Sequence, residues 1–492
     1  MLSTHFKRAP SIRPQLNIGS IWDLPNGRYY IGKKGESILN GGLSFYTGVG
    51  GKGNTFKSTV MHDQLLTAMD RYGSAQANVF DTEMSLTNER MYQLAARKDN
   101  IGGVDLEAEG RMLITDNTVM MGDEWFEAVK TYAAERQGKD QIKTYKRTTP
   151  FIDRQSGKLF ESLSPLICEV DSLSMMVTSA LQGILDKAEI GNSGTNTAAL
   201  RDAAVKTQML NQLPTLTAKY NVFMMHSAHV GKQHQLDPYA PPARQLNTLK
   251  GQNAFKNVPE KFTFLPNNLY YVHSVEILLN KGDKAPEFPK DRDDKMAGDN
   301  DLQQLIIQNL RAKSGPTGMP MPVIVSQSEG VQRSLTEFVQ IRDFNRFGLG
   351  GNLQNYHLEL LPDVNLSRTT IRGKLNESAK LRRAMEITWE LAYMYYVGYR
   401  TEETVEALAG EEEVLDKDLA VTAKELYDGL TAKGYNWDEL LDTRGYWMYV
   451  EDEKEDTKPF LSTMDLLRMH AGLYHPYWMK EKPTPKKVEE KK

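Results

Sequence analysis

The sequence predicts an α/β fold in which a mostly parallel central sheet is flanked by helices, with a phosphate-binding turn (P-loop) in the core and a smaller α+β and helical C-terminal domain. Three observations lead there. Short apolar runs alternate with helical patterns from Leu43 to about residue 310, as in sheets whose strands are joined by crossover helices. The first run, Leu43-Ser-Phe-Tyr46, opens onto a glycine-rich segment that ends in Lys57-Ser58 and is followed by a helical pattern. Two later segments end in carboxylates, Glu83 and Asp171, and in parallel sheets ligands collect at the carboxyl ends of the strands.

At 492 residues the chain exceeds one ordinary core, so more than one domain is expected. We divide it into an arm with connecting turns (1–40), the ATPase-like core (41–345), a C-terminal accessory region with an acidic segment (346–478) and a disordered basic tail (479–492). A content of 40% hydrophobic and 25% charged residues fits a soluble globular protein. No basic start precedes an apolar stretch, and no run of about 18 apolar residues occurs, so a cytoplasmic protein without membrane contact is expected. A single cysteine, Cys168, excludes a disulfide framework within one chain and a cysteine-based metal site. The net charge of −4 hides segregation: residues 366–383 carry six bases against Glu377 alone, whereas 401–456 are strongly acidic. A basic stripe of that kind binds a polyanion locally while the whole molecule stays acidic.

Element by element, the prolines and glycines of the first 40 residues indicate turns, and a helix is expected from Lys57 to Tyr72. Ala77–Phe80 reads as a strand running into Asp81-Thr-Glu83, and Arg111–Thr115 as another, followed by a helix from Glu124 to Arg136. The polar stretch 137–158 is expected to be a surface insertion. Leu166–Asp171 is a buried strand, 205–220 a helix, and Asn221–Met225 a strand ending at His226. Leu269–His273 and Leu305–Gln308 continue the sheet. A pattern change near 345 brings a glycine turn at Gly348–Gly351, a hairpin, and a helix from Ala379 to Val397.

Phosphoryl transfer requires positioning and charge neutralisation more than covalent help. Glycines at 48, 50, 51 and 53 let successive backbone N–H groups converge on phosphate oxygens at a helix N-terminus. Gly51, Lys52, Gly53, Asn54, Thr55, Phe56, Lys57, Ser58 and Thr59 are therefore the candidate ATP contacts. Lys57 reaches the β/γ-phosphates, Ser58 and Asp171 hold Mg²⁺, Glu83 polarises the attacking water, and His226 senses the γ-phosphate. Phe56 stands where such turns usually carry glycine.

Thr55-Phe-Lys-Ser58, Val79-Phe-Asp-Thr-Glu83, Val170-Asp-Ser-Leu173 and Met225-His-Ser-Ala-His229 together resemble the RecA family, most closely its bacteriophage branch, the UvsX-type recombinases, over roughly residues 18–395. That branch also carries phenylalanine before the loop lysine. The resemblance implies an ATP- and Mg²⁺-dependent recombinase that coats single-stranded DNA as a helical filament and pairs it with double-stranded DNA. Single-strand-binding and loader proteins are the implied partners, and the location a cytoplasm, the host's if the chain is phage-encoded. It also implies two DNA-binding loops, near 187–197 and 231–256. These contain Lys187 and Asn192, then Lys232, Arg244, Lys250 and Lys256 with Tyr239 and Phe255, a mixture suited to phosphate contacts and stacking. In the family, basic residues after a late strand reach the neighbouring subunit's γ-phosphate, which makes Arg311 and Lys313 candidate trans-acting cations. The same Arg311-Ala-Lys-Ser-Gly-Pro-Thr-Gly318 segment, with Glu83-Met84, also resembles DnaB-type replicative helicases, whose rings are hexameric. Those helicases carry a large helical N-terminal domain that is not seen in the short arm here.

Overall fold

The computed structural model describes residues 8–187, 195–232, 253–291, 293–294, 296–399, 419–454 and 458–480. The arm forms a short helix α1 (Ser20–Asn26) and the hairpin β1 (Arg28–Ile31) and β2 (Ser37–Asn40). β3 (Tyr46–Gly51) enters the glycine turn and α2 (Lys57–Arg71). Next come β4 (Gln76–Asp81), α3 (Asn88–Ala95), β5 (Met112–Asp116), α4 (Gly122–Glu135), the single turn α5 (Ile142–Tyr145) and the hairpin β6 (Lys146–Ile152) and β7 (Leu159–Leu163). β8 (Leu166–Asp171), α6 (Ser179–Leu185), α7 (Thr195–Tyr220) and β9 (Val222–Lys232) follow. β10 (Asn253–Phe255), β11 (Asn268–Ile277), β12 (Leu302–Ala312), β13 (Pro320–Ser326), β14 (Gly330–Val331) and α8 (Arg333–Asp343) complete the sheet region. Beyond it lie β15 (Leu349–Gly351), β16 (Tyr356–Leu358), β17 (Leu361–Leu366), α9 (Ile371–Glu377), α10 (Ala379–Tyr396), α11 (Ala423–Ala432), α12 (Trp437–Leu441) and α13 (Thr463–His470).

Ten strands form one sheet in the order β14-β13-β12-β11-β3-β9-β8-β4-β5, with β10 paired to β9. From β11 to β5 every neighbouring pair is parallel, and β12 to β14 extend the far edge antiparallel. The buried strands are apolar on both faces because helices cover both. Val49, Val79, Ile167 and Phe223 face one core, shared with α2, whereas Tyr46, Phe80, Cys168 and Met224 face the other, shared with α4 and α7. Cys168 is a fully buried apolar packing residue. Among the described residues no helix is long and apolar enough to cross a membrane.

The expected division near 345 is not marked by any break in packing. One buried cluster runs from Ile12 through the α2 face of the sheet to Met469. The arm is part of it: Asn17 N–H donates to the Tyr72 hydroxyl at 2.9 Å, and buried Asp23 accepts from the amides of Ile18 and Gly19 while pairing with Arg71 at 3.3 Å. Segment 137–158 is likewise no detached insertion, because the β6 residue Phe151 is fully buried against Tyr30 and Trp447. Of the acidic stretch, residues 419–454 fold back onto the core. Trp447 lies edge-on to Tyr72 at 4.9 Å, and Glu451 accepts from the amide and hydroxyl of Thr148, both at 2.8 Å. Residues 400–418 and the tail from 481 lie outside the described residues.

Trp447 thus closes an aromatic box that joins chain segments hundreds of residues apart. Truncating a buried tryptophan removes its transfer energy and leaves a cavity, costing about 3–5 kcal/mol. Trp447→Ala is expected to lower global stability by that amount in one cooperative transition, monitored by urea unfolding. A separate early transition confined to the C-terminal region would show instead that this region is independent.

Candidate nucleotide-hydrolysis site

β3 ends in the turn at the N-terminus of α2, as its sequence requires. Gly51 is needed there: a Cβ would stand 2.6 Å from Thr55 Oγ1 and 3.0 Å from Lys57 Cγ, so the lysine stem lies across the bare backbone. Phe56 holds the helix N-cap with φ of 60°, and Asn54 shares that left-handed region. Phenylalanine therefore occupies a conformation that favours glycine, at a backbone cost of about 1–2 kcal/mol, and its partly buried ring packs on the main core. No side chain caps α2, which leaves the first-turn amides of Lys57, Ser58 and Thr59 for an anion. Lys57 Nζ and Thr55 Oγ1 both donate to the Lys52 carbonyl, at 3.0 and 2.8 Å, and so draw the turn closed. Burial lowers the Lys57 pKa, opposed by the negative charges of Asp171 and Glu83.

The two carboxylates reach the turn because β8, β9 and β3 are consecutive parallel neighbours and β4 lies next to β8. Asp81 and Asp171 are directly opposite one another at the strand ends, as are Gly51 and His229. Asp171 accepts a short hydrogen bond from the Ser227 hydroxyl. Asp81, which sequence reasoning passed over, accepts from the amides of Glu83, Ser85 and Leu86 at 3.0, 2.6 and 2.6 Å. Its buried carboxylate shapes the loop that carries Glu83. Thr82 adds a second tie, accepting from Ser172 N–H at 2.6 Å and donating to the Ser172 carbonyl at 3.0 Å.

The expected sensor, His226, is not at the site. It is 3% exposed, faces the α4 and α7 core, and shares a 3.0 Å hydrogen bond with the Tyr46 hydroxyl. β9 does not end at residue 226 but runs on to Lys232, so the residue level with Gly51 is His229. Three residues along a strand also reverses the face. His229 Nε2 lies 2.9 Å from Glu83 Oε1, with the His229 amide held by Ser174 Oγ at 2.9 Å. The Met225-His-Ser-Ala-His229 motif contained both histidines, and period-two counting from a longer strand would have selected the second.

Oxygen donors suit Mg²⁺, and the Ser58 hydroxyl and Asp171 carboxylate supply them from the helix start and the end of β8, one strand beyond β9. Behind them, His62 Nδ1 lies 2.6 Å from Glu169 Oε1, and with Asp171 they form the one group of three metal-ligating side chains found among the described residues. Burial opposes a charge on His62, but the charge and close approach of Glu169, with the charges of Asp171 and Asp81, together raise the imidazole pKa. His62 and Glu169 therefore pair closely one helical turn beyond Ser58, although burial raises the Glu169 pKa and neither His62 Nδ1 nor the Glu169 oxygens make a well-aligned hydrogen bond.

Arg311 and Lys313 do not join this cluster. Asn268 pairs with Thr47 on one side and Ala312 on the other, whereas Val272 is level with Gly51. The two cations thus sit at the opposite end of the sheet, about 13 Å along β3. Arg311 donates to the Pro266 carbonyl at 3.1 Å, and the Lys313 pKa is lowered by burial and by the neighbouring charges of Arg311 and Arg13.

Of the residues assigned to DNA, Asn192, Arg244 and Lys250 lie outside the described residues. Lys187 is exposed just after α6. Lys232 and Lys256 close the stem of the 233–252 segment: Lys256 N–H donates to the His229 carbonyl at 2.9 Å and its ammonium to the Lys232 carbonyl. Phe255 is not a free stacking platform, because its ring covers Gly50 and packs on Phe262 at 5.1 Å.

No protein-family model matches this chain, and no curated protein is significantly similar to it.

Burial pushes the His226 pKa down to about 3, whereas an unfolded histidine titrates near 6.5. Below pH 6.5 the unfolded chain binds a proton that the folded chain refuses. Stability is therefore full above about pH 6.5 and falls towards pH 3, by up to about 1.4 kcal/mol per pH unit. His226→Gln is expected to flatten the pH dependence of urea midpoints between about pH 6.5 and 4.5. An unaltered slope would refute the assignment of this acid sensitivity to His226.

Proposed function

We propose that the chain is a DNA-dependent ATPase of the RecA type, acting as a recombinase that assembles on single-stranded DNA and promotes homologous pairing and strand exchange. The observation that carries this reading is the meeting of the Lys57 turn with Asp171, Glu83 and His229 at the carboxyl ends of neighbouring strands. ATP phosphates rest on the first-turn amides of α2 and on Lys57. Ser58 and Asp171 would hold Mg²⁺, which when bound would supply charge neutralisation at the phosphate oxygens. Glu83 takes the proton of a water aimed at the γ-phosphorus, a P–O bond to the γ-phosphorus forms, and the bond to the β,γ-bridging oxygen breaks, giving ADP and phosphate. His229 holds the Glu83 carboxylate in place. It lies three residues before the Lys232 stem, which supports a coupling between the state of the nucleotide and the 233–252 segment.

The placement of Arg311 and Lys313 supports their acting on a neighbour's nucleotide, since within one chain they face away from it. Hydrolysis would then require assembly. A helicase ring built on the same motor shares every one of these groups, and the two readings separate by shape: helical filaments on single-stranded DNA with ATP, viewed by negative-stain electron microscopy, support the recombinase, whereas closed hexamers with unwinding activity replace it.

Glu83→Gln and Lys57→Ala are expected to lower DNA-stimulated ATP turnover at least about 100-fold. Glu83→Gln should retain nucleotide binding and Lys57→Ala should lose it. The Arg311→Ala, Lys313→Ala double variant should bind nucleotide normally yet turn over at a background rate, and mixing it with Lys57→Ala should restore turnover at mixed interfaces. Wild-type turnover indistinguishable from that of Glu83→Gln would end the proposal.

A further inference from the structure

We propose that His62, Glu169 and Asp171 form a second cation site, one step deeper than Ser58, which takes a divalent first-row transition ion of the Mn²⁺ to Zn²⁺ series and shares Asp171 with the position above it. The trio is set by two matched spacings. Ser58 and His62 lie four residues apart on one face of α2, a rise of about 6 Å, and Asp171 and Glu169 lie two residues apart on one face of β8, about 6.6 Å along the strand. Since α2 packs on β8, the hydroxyl and carboxylate at Ser58 and Asp171 are followed by an imidazole and a carboxylate at the next level down. One ligand atom from each of His62, Glu169 and Asp171 lies within 4.8 Å of the other two.

The second observation is the state of the buried donors. Glu169 is 0% exposed, and neither of its carboxylate oxygens has an aligned hydrogen-bond partner. His62 is buried too, and its Nδ1 has none either, although it stands 2.6 Å from Glu169 Oε1. That separation is shorter than the about 2.7–2.9 Å of a charge-assisted N–H···O bond, and the alignment such a bond requires is missing. Two lone-pair donors brought together in this way are arranged as ligands of one ion. Among the described residues no lysine or arginine pairs with Glu169, whereas the like charges of Asp171 and Asp81 act on it. A carboxylate at this depth is strongly unfavourable without a cation beside it. One imidazole nitrogen with two carboxylates favours a transition ion over Mg²⁺, which takes oxygen ligands. Asp171 is 9% exposed, so the ion would enter from the side of the phosphate turn. Once bound, it would fix the Asp171 carboxylate from below and tie α2 to β8 before any nucleotide arrives. The inference shares Asp171 with the proposed hydrolysis site but needs no ATP, so each can fail alone.

The test is pulsed electron paramagnetic resonance of Mn²⁺, added alone at one equivalent to the nucleotide-free full chain. A nitrogen coupling from one directly bound imidazole is expected, unchanged by Ser58→Ala and abolished by His62→Asn, with Mn²⁺ affinity weakened at least about 10-fold in the latter. Zn²⁺ should displace the Mn²⁺. Glu169→Gln keeps the side-chain volume and should weaken binding by a similar factor, so the test stays decisive if His62→Asn fails to fold by circular dichroism. Mn²⁺ held through oxygen alone would overturn the proposal, as would a coupling that persists in folded His62→Asn or is lost in His229→Asn, the imidazole beside Glu83. Absent ATP turnover with the coupling present would sink the hydrolysis reading and leave this one standing.

Discussion

The parallel register that ties β3 to β9, β9 to β8 and β8 to β4 is the constraint from which the candidate site follows. It sets Gly51 beside His229 and Asp81 beside Asp171, so that chain segments from four separate regions arrive at one edge together. A one-residue slip in any of these pairings would turn the side chains of that strand to the other face. Two-sided burial prevents this, since Val49 and Tyr46 belong to different cores and neither tolerates exchange with a polar neighbour. The site is therefore placed by packing below it, and contacts among its own members, such as His229 with Glu83 and Ser227 with Asp171, then fix its side chains.

Strands with uninterrupted apolar runs were legible from the sequence almost to the residue: Leu166–Asp171 and the helix starting at Lys57 stand where the pattern put them. β9 was not, because its apolar run breaks at His226-Ser227, although the chain stays extended through Ala228 and Val230. The burial of a histidine on Tyr46 is a tertiary fact that local pattern does not encode. The same holds for the polar-looking 137–158 stretch, where Phe151 and the Thr148 bonds to Glu451 fix the hairpin to the core, and for the C-terminal region, where leucines, methionines and aromatics spaced among acidic residues do the packing. The placing of Glu83, Asp171, Lys57 and Ser58 near one end of the sheet was legible because each sits next to a backbone transition. Asp81 was missed because its role is to accept backbone amides, which has no signature beyond a capping residue.

Charge inside this molecule is arranged in layers. Nearest the turn, Lys57 feels the charges of Asp171 and Glu83, and one layer deeper His62 lies 2.6 Å from Glu169. Further along α2, Lys98 pairs with Asp63 at 2.5 Å and Arg71 with Asp23. α2 thus presents a phosphate-facing end and a flank of fixed ion pairs, and a charge change at either is felt through one rigid rod. Breaking any buried pair from one side leaves an uncompensated ion, which costs more than losing both partners.

The aromatic box around Trp447 bears on how this chain can be dissected. Tyr72, Phe151 and the arm all depend on that one residue: its indole touches both rings and donates to the Gln15 carbonyl at 3.1 Å, and its backbone amide donates to Asn17 Oδ1 at 3.4 Å. Shortened versions that stop after α10 would expose this interior and lose the cover of α2. Defects in them would report a damaged scaffold, and the contribution of the acidic 400–418 stretch is separable only by internal deletions that keep the downstream residues in place.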